Sequence, residues 1–504
     1  MNFITAFDNE TKKAKTLTEN GAVVYETSGS SLLDLNFATS SMRMWSEDKI
    51  VHAFEKAYFE CPVLAVVWLF FLRDVRGCGM GERRSFRICM KWLCDNHPDD
   101  AKKIISLIPE YGRWDDLIYL TNSNLKNNII KIIDNQLEKD MDNCMNNKPV
   151  SLLAKWLPSI NASSYKTKNL AKTICKELGV KEVQYRKILS KMRKYIDVVE
   201  RKMSSKDWNE INYNTVPSVA NLKYSNAFLK NDNDRRKEYL NNLIKGDSET
   251  KINAKTLFPS DIVGQYNYPW CNYDETKEQL WKALPNFVEN DSNTIVVRDG
   301  SGSMTTSIPG TKTRCIDVST ALAIYFSERN SGEFKNKFIT FSKNPKVVNL
   351  ENCESLFEKL SLCRKYTDCT NTNIEKVFDM ILEAAINNEL SQEELPKNII
   401  IVSDMEFDSM CEVNNNTKTI FENIKYRYEA HGYKLPKLIF WNVLSRTNGI
   451  PLRENELGVA LVSGFSPAIY NMVLSNKTNP FDCLVEQLNN ERYNPVWEAL
   501  LLNK

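Results

Sequence analysis

"VVRDGSGSMTT" occupies Val296–Thr306 and continues a short apolar run that starts at Thr294. Asp299, Ser301 and Ser303 set three oxygen-bearing side chains at alternate positions, with glycines between them. Alone, Asp-x-Ser-x-Ser is more often a plain turn, which needs the glycines and tolerates any small polar residue. It becomes one edge of a metal site only if it follows a strand and other strand-following loops carry matching oxygens.

Both conditions are met in the pattern after about residue 286. Short apolar runs at 294–298, 337–341, 346–350, 398–403, 437–444 and 458–463 alternate with segments of helical spacing at 313–330, 374–390 and 418–432. This alternation predicts a doubly wound, mostly parallel, Rossmann-like sheet with helices on both faces. Ligands of such sheets sit at the carboxyl ends of strands. "YTDCTNTNIEKVF" (366–378) supplies Thr367, Asp368, Thr370 and Thr372 before a helix, and "IIIVSDMEFD" (399–408) places Asp404 after the most apolar strand. Two carboxylates with several hydroxyls suit a hard divalent cation, Mg²⁺ first, with water or an incoming ligand completing its shell. No histidine, cysteine or acid pair stands beside these residues as nucleophile and base, so no enzymatic activity is expected and metal-assisted phosphodiester cleavage ranks low.

From about residue 30 to 285 the spacing is helical and strand signals are scarce. In "RKILSKMRKYIDVVERKM" (186–203), Ile188, Leu189, Met192, Ile196, Val199 and Met203 share one face, with Lys187, Lys191, Lys194 and Arg201 on the other. Several such segments suit an array of stacked helix pairs. Net charge is +2, but residues 1–250 hold 39 Lys and Arg against 32 Asp and Glu, and 151–206 hold 14 against 4. That basic segment is either a polyanion surface or a solvated helix face. "GCGMGERR" (77–84) follows a helix-like run rather than a strand, so it reads as an inter-helix turn and not a nucleotide loop. Its neighbours Arg73, Arg76, Arg83, Arg84 and Arg87 make either a salt-bridged loop with Asp74 and Glu82 or a phosphate contact. In "GRWDDL" (112–117) an aspartate is expected as a helix N-cap, with Trp114 in the core.

The 504 residues exceed one ordinary core, and 42% hydrophobic content with 26% charge describes a folded, soluble chain. No apolar run reaches membrane-spanning length; the best, Val63–Leu72, is a helix core. The first residues lack a secretory layout. Thirteen cysteines are scattered without a Cys-x-x-Cys pair, and neither Cys89 with Cys94 nor Cys363 with Cys369 has zinc-module spacing. Reduced thiols and a cytoplasmic location are expected.

Asp299-x-Ser301-x-Ser303, a later loop threonine and Asp404 resemble the metal-ion-dependent adhesion site of von Willebrand factor A domains. The resemblance implies Asp299, Ser301, Ser303, Thr372 and Asp404 as ligands, with Thr370 as the alternative from the second loop. "FLRDVRGCGMGERRSFR" (71–87), "IPEYGRWDDLIYL" (108–120), "LLAKWLPSIN" (152–161) and "VPSVANLKYSNAFLK" (216–230), together with "IVSDMEFD", resemble the TROVE-like family of the Ro ribonucleoprotein, nearest to its viral and plant relatives. Over roughly residues 30–475 it implies a HEAT-like helical array with an A domain, and, for the Ro branch, binding of structured or misfolded RNA. The expected organisation is an N-terminal segment (1–30), an α-helical repeat domain (31–285) and an α/β A domain (286–504). The leading expectation is an RNA-binding scaffold, with Arg83, Arg84, Lys187, Lys191, Lys194 and Arg201 as candidate RNA contacts. The alternative is a protein-assembly module whose metal site binds a partner's acidic group.

Overall fold

The computed structural model describes residues 15–18, 23–77, 79–266, 271–288, 293–311, 313–341, 344–367, 374–407, 420–447, 449–450, 459–466, 469 and 479–501. The chain forms two compact units that interleave in sequence. A sheet unit comprises Met1–Ala65 and Ala254–Asn490, and a helical unit comprises Val66–Asn253 and Glu491–Lys504. The linear division expected at residues 30 and 285 does not coincide with these compact units. The described residues up to 65 and from 254 to 490 belong to the sheet unit and those from 491 to the helical unit, because packing and not chain order defines a compact unit.

In the sheet unit a hairpin of β1 (Lys15–Leu17) and β2 (Val23–Tyr25) precedes the main sheet. That sheet contains β3 (Thr294–Asp299), β4 (Lys337–Phe341), β5 (Val347–Asn349), β6 (Asn398–Ser403), β7 (Lys437–Asn442) and β8 (Val459–Ser463), in the order β5-β4-β3-β6-β7-β8. All neighbours pair in parallel except β4 with β5. Every residue of β3 and β8 is buried, as expected for strands covered on both faces. The Cys315–Arg329 helix packs on β3, β4 and β6, and its apolar residues from Val318 to Phe326 are almost wholly excluded from water. The six strands and the helices Cys315–Arg329, Glu375–Asn387 and Ile420–Ala430 match the expected alternation. Leu356–Lys365 and Pro480–Leu488 are further helices. Strand β4 follows β3 on one side, while β6 returns to the other. The carboxyl ends of β3 and β6 therefore flank the point where strand order reverses, the place where ligands of such sheets bind.

In the helical unit, sequence neighbours pair as helices: Arg84–Asn96 with Pro98–Ile104, Tyr165–Glu177 with Glu182–Ile196, and Ser218–Asn231 with Asn233–Ile244. The stretch 186–203 is not one helix. It divides into Glu182–Ile196 and Val199–Ser205 at Asp197, whose φ of 55° lies in the left-handed region. Leu189, Met192 and Val199 are buried on both sides of that break. The "GCGMGERR" turn closes the preceding helix Pro62–Arg73, as Met80 N donates to Phe71 O at 3.0 Å and Glu82 N to Leu72 O at 2.8 Å. A Cβ on Gly79 would lie 2.3 Å from the Phe71 carbonyl, so this glycine serves close backbone approach, not phosphate. The chain end is tied in here. Arg492 donates to Asp74 through Nε at 2.8 Å and an Nη at 3.0 Å, and Tyr111 stacks on Tyr493.

Asp74 is fully buried in this contact while the Arg492 side chain is 26% exposed. Arg492→Ala is expected to destabilise the helical unit by roughly 3 kcal/mol, the lower end for leaving one partner of a buried ion pair uncompensated. Urea unfolding monitored in that unit checks this, and a loss below about 1 kcal/mol would place the pair with ordinary surface bridges.

Candidate functional site

In the sheet unit, Asp299 ends β3 and Asp404 directly follows β6, and they are 0% and 2% exposed. Asp299 Oδ1 accepts from Ser301 N at 2.9 Å and Oδ2 from Ser403 Oγ at 2.6 Å, while its carbonyl accepts from Ser319 Oγ at 3.0 Å. The Ser301 and Ser303 hydroxyls lie 3.0 Å apart, and Ser303 lowers the proton affinity of the Asp404 carboxylate. Four of the five expected ligands thus gather at one strand edge. Thr372 and its alternative Thr370 lie outside the described residues.

Burial raises the proton affinity of both carboxylates, and the negative charge of Asp299 raises that of Asp404 further. Two dry carboxylates with convergent hydroxyls form a hard-oxygen donor set in which a divalent cation would relieve their mutual repulsion. The residues present therefore fit such an ion. Among the described residues no group of three or more histidines, cysteines or acids comes together, so any ion here would rest on two carboxylates and on hydroxyls. Burial pushes the thiols of Cys94 and Cys363 up to about 12 and about 11, and that of Cys89 higher still, which suits inert packing thiols rather than ligands.

The loop after β7 closes around this site in a way the motif does not announce. Glu406 is fully buried, and its Oε1 accepts from Arg446 N at 2.7 Å and Thr447 N at 2.9 Å. That anchors Arg446, whose guanidinium reaches Asp404 Oδ2 at 3.4 Å. Ser403 stands next to Asp404 in sequence, so its role was open to inspection. Arg446 lies far along the chain, and no local pattern marks it. Arg298 points away from the site: its guanidinium donates to Thr367 Oγ1 at 2.7 Å and Cys363 O at 3.4 Å.

The helical unit holds a separate feature, a cavity of about 890 Å³ between the Leu153–Trp156, Glu182–Ile196 and Val199–Ser205 helices. Lys155, Arg186, Lys187, Arg193 and Arg201 line it, against one carboxylate, Glu200. Arg193 is a floor strut, donating to Ala154 O, Ser159 Oγ and Leu157 O at 2.7–2.8 Å. Arg186, Lys187 and Arg201 are exposed. Of the predicted contacts, Lys187 and Arg201 come together here across the break between two helices. Lys191 and Lys194 are exposed on Glu182–Ile196 but are not among the lining residues. Lys155, Arg186 and Arg193 were not singled out from sequence, since a basic helix shows which residues are cationic but not which wall a groove.

Of the arginines around "GCGMGERR", Arg73, Arg83 and Arg87 are bound internally. Asp116 takes Arg73 Nε and Arg87 Nε, each at 2.7 Å, while Arg83 pairs with Asp115 and Arg87 reaches Asp115 at 2.9 Å. Arg84 is exposed in the first turn of Arg84–Asn96. Asp115 and Asp116 are not the N-cap. Arg113 holds that position, and Asp116, in the third helical place, accepts from Arg113 N at 3.0 Å. Its second duty explains the shift, because a carboxylate inside the first turn can meet both its own helix start and two arginines. Trp114 is buried, as expected.

A family model described as Domain of unknown function (DUF2828) matches residues 18–120 and 121–298, and one described as Domain of unknown function (DUF7788) matches 293–495. "Uncharacterized protein L728" of Acanthamoeba polyphaga mimivirus is 31% identical over 520 residues, spanning 95% of this chain and 88% of its own. The chain belongs to the DUF2828 family. The crystal structure of the Deinococcus radiodurans RO (RSR) protein aligns with 81% of this chain and 89% of its own, at 13% identity and a TM-score of 0.45. The DUF2828 and DUF7788 matches overlap over residues 293–298, at β3 of the sheet unit.

For this DUF2828 member, Asp116→Ala strands the Arg73 and Arg87 guanidiniums, whose side chains are 2% and 16% exposed, and should cost roughly 3–5 kcal/mol. Arg83→Ala, at a side chain 47% exposed, should cost under about 1 kcal/mol. Equal losses in chemical denaturation would show that the network is not organised around Asp116.

Proposed function

We propose that this protein is a non-enzymatic RNA-binding scaffold whose sheet unit is a von Willebrand factor A-type domain with a Mg²⁺ site for a partner's carboxylate or phosphate. The observation that carries the RNA reading is the cationic groove of the helical unit, with five cations against one carboxylate. Its lining contains no aromatic residue among the described residues, so it suits contact with a phosphate backbone rather than stacking of bases. Binding of this kind is sequence-tolerant and draws its affinity from counterion release. The resemblance of the helical motifs to the Ro ribonucleoprotein family points the same way.

The A-type reading is supported by parallel strand order and by Asp299, Ser301, Ser303 and Asp404 meeting at the switch point. When bound, the ion would supply an open coordination position for an anionic group. Asp299 and Asp404 would balance its charge, and Ser301 and Ser303 would orient it through neutral oxygens. The groove and this cluster lie in different compact units, which favours separate duties for RNA and partner. Among the described residues no helix is long and apolar enough to cross a membrane.

Unstructured RNA should bind with an affinity that falls steeply as salt rises. The double variant Arg186→Gln/Lys187→Gln should reduce the slope of log K against log salt by about 1.4, from roughly 0.7 per lost phosphate contact. Fluorescence anisotropy across a salt series measures this; absence of binding to structured or unstructured RNA at low salt would remove the RNA reading. Mg²⁺ at a hundredfold its Kd should stabilise the protein by about 2.7 kcal/mol, and Asp299→Ala should abolish the gain while leaving RNA affinity intact. Thermal melts with and without EDTA read the first effect. Loss of a protein partner in Asp299→Ala, without any RNA binding by the parent protein, would favour an assembly module instead.

A further inference from the structure

Successive strand residues face opposite sides of a sheet, so Arg298 leaves β3 on the side away from Asp299. It is 1% exposed, and its guanidinium opens on a cavity of about 370 Å³ in the sheet unit that Arg314 and Arg364 also line. One carboxylate, Asp317, is in that lining and is already engaged. It accepts from Arg314 N at 2.7 Å, as part of the start of the Cys315–Arg329 helix, and from the Arg314 guanidinium at 3.0 Å. Arg364 donates to the Tyr266 carbonyl, which fixes its direction. The first turn of Cys315–Arg329 borders the same space through Ile316 and Asp317, adding the positive end of a helix dipole.

Arg298 is buried, Arg314 is half-buried against Asp317 and Arg364 is exposed, so three guanidiniums face one carboxylate in this lining, and a planar guanidinium fork matches the oxygens of a phosphate. The volume lies near the lower limit for ligand cavities, too small for a folded polymer and large enough for a small phosphorylated molecule. We propose that this cavity is an anion site for a small phosphate-bearing ligand, gripped by Arg298, Arg314 and Arg364. Its arginine lining meets β3 on the face opposite the Asp299 carboxylate, and the groove described above belongs to the helical unit.

The test is isothermal titration of the full chain with pyrophosphate and with AMP, in EDTA so that no divalent ion mediates binding. Saturable one-to-one binding is expected, weakened roughly ten-fold or more by Arg314→Gln and by Arg364→Gln. Because Arg298 is buried, these two more accessible residues carry the test, with thermal midpoints near the parent's confirming that each variant folds. Arg186→Gln/Lys187→Gln should bind like the parent. Binding of both probes shows that the phosphate is the group recognised, and binding of AMP alone assigns a nucleotide. No saturable binding of either probe, an affinity unchanged in both arginine variants, or an effect reproduced by chloride at equal ionic strength would overturn the proposal.

Discussion

The pairing of β3 with β6 brings the candidate metal site together. The parallel ladder runs from Thr294 opposite Asn398 to Arg298 opposite Val402, so two segments about a hundred residues apart end at one edge of the sheet. There Asp299 and Asp404 emerge side by side into dry surroundings. A slip of one residue in β3 would turn Asp299 to the other face and bring Arg298 into its place. The near-continuous burial of both strands opposes such a slip, since every side chain is already committed to a packed face.

Charge in the helical unit is sorted by a similar logic. Asp74 and Asp116 are fully buried and capture Arg492, Arg73 and Arg87. These arginines hold the chain end and the glycine turn, and they are not available to a ligand. The groove cations belong to another class. Arg186, Lys187 and Arg201 stand in water around a floor braced by Arg193 through neutral carbonyl and hydroxyl oxygens. A basic stretch in sequence is therefore a mixture of structural cations and candidate binding cations, and burial separates them.

Much of the sheet unit was legible in the sequence because its signals are local. Apolar runs alternating with helical spacing located all six strands of the main sheet, and an oxygen-rich turn directly after such a run located Asp299, Ser301 and Ser303. Asp404 was legible for the same reason. Arg446 was not, because its relation to Asp404 depends on how Glu406 pins a distant loop. The break at Asp197 was equally hidden: the apolar spacing of 186–203 runs through it unbroken, and the left-handed backbone there is a choice made in packing.

By itself the sequence determined the six strands of the main sheet and three of the helices between them, which loop ends carry oxygens, and where cations are dense, since each depends on neighbours a few residues apart. Tertiary structure alone decided that the described residues up to 65 join the sheet unit and those from 491 the helical unit, that Arg298 turns from the Asp299–Asp404 cluster toward Arg314 and Arg364, and that Arg83 meets Asp115 while Lys187 meets a groove. The physical reason is the same in each case. Periodicity states which face of an element is buried, whereas the partner across that face is set by packing and charge compensation between segments far apart in the chain.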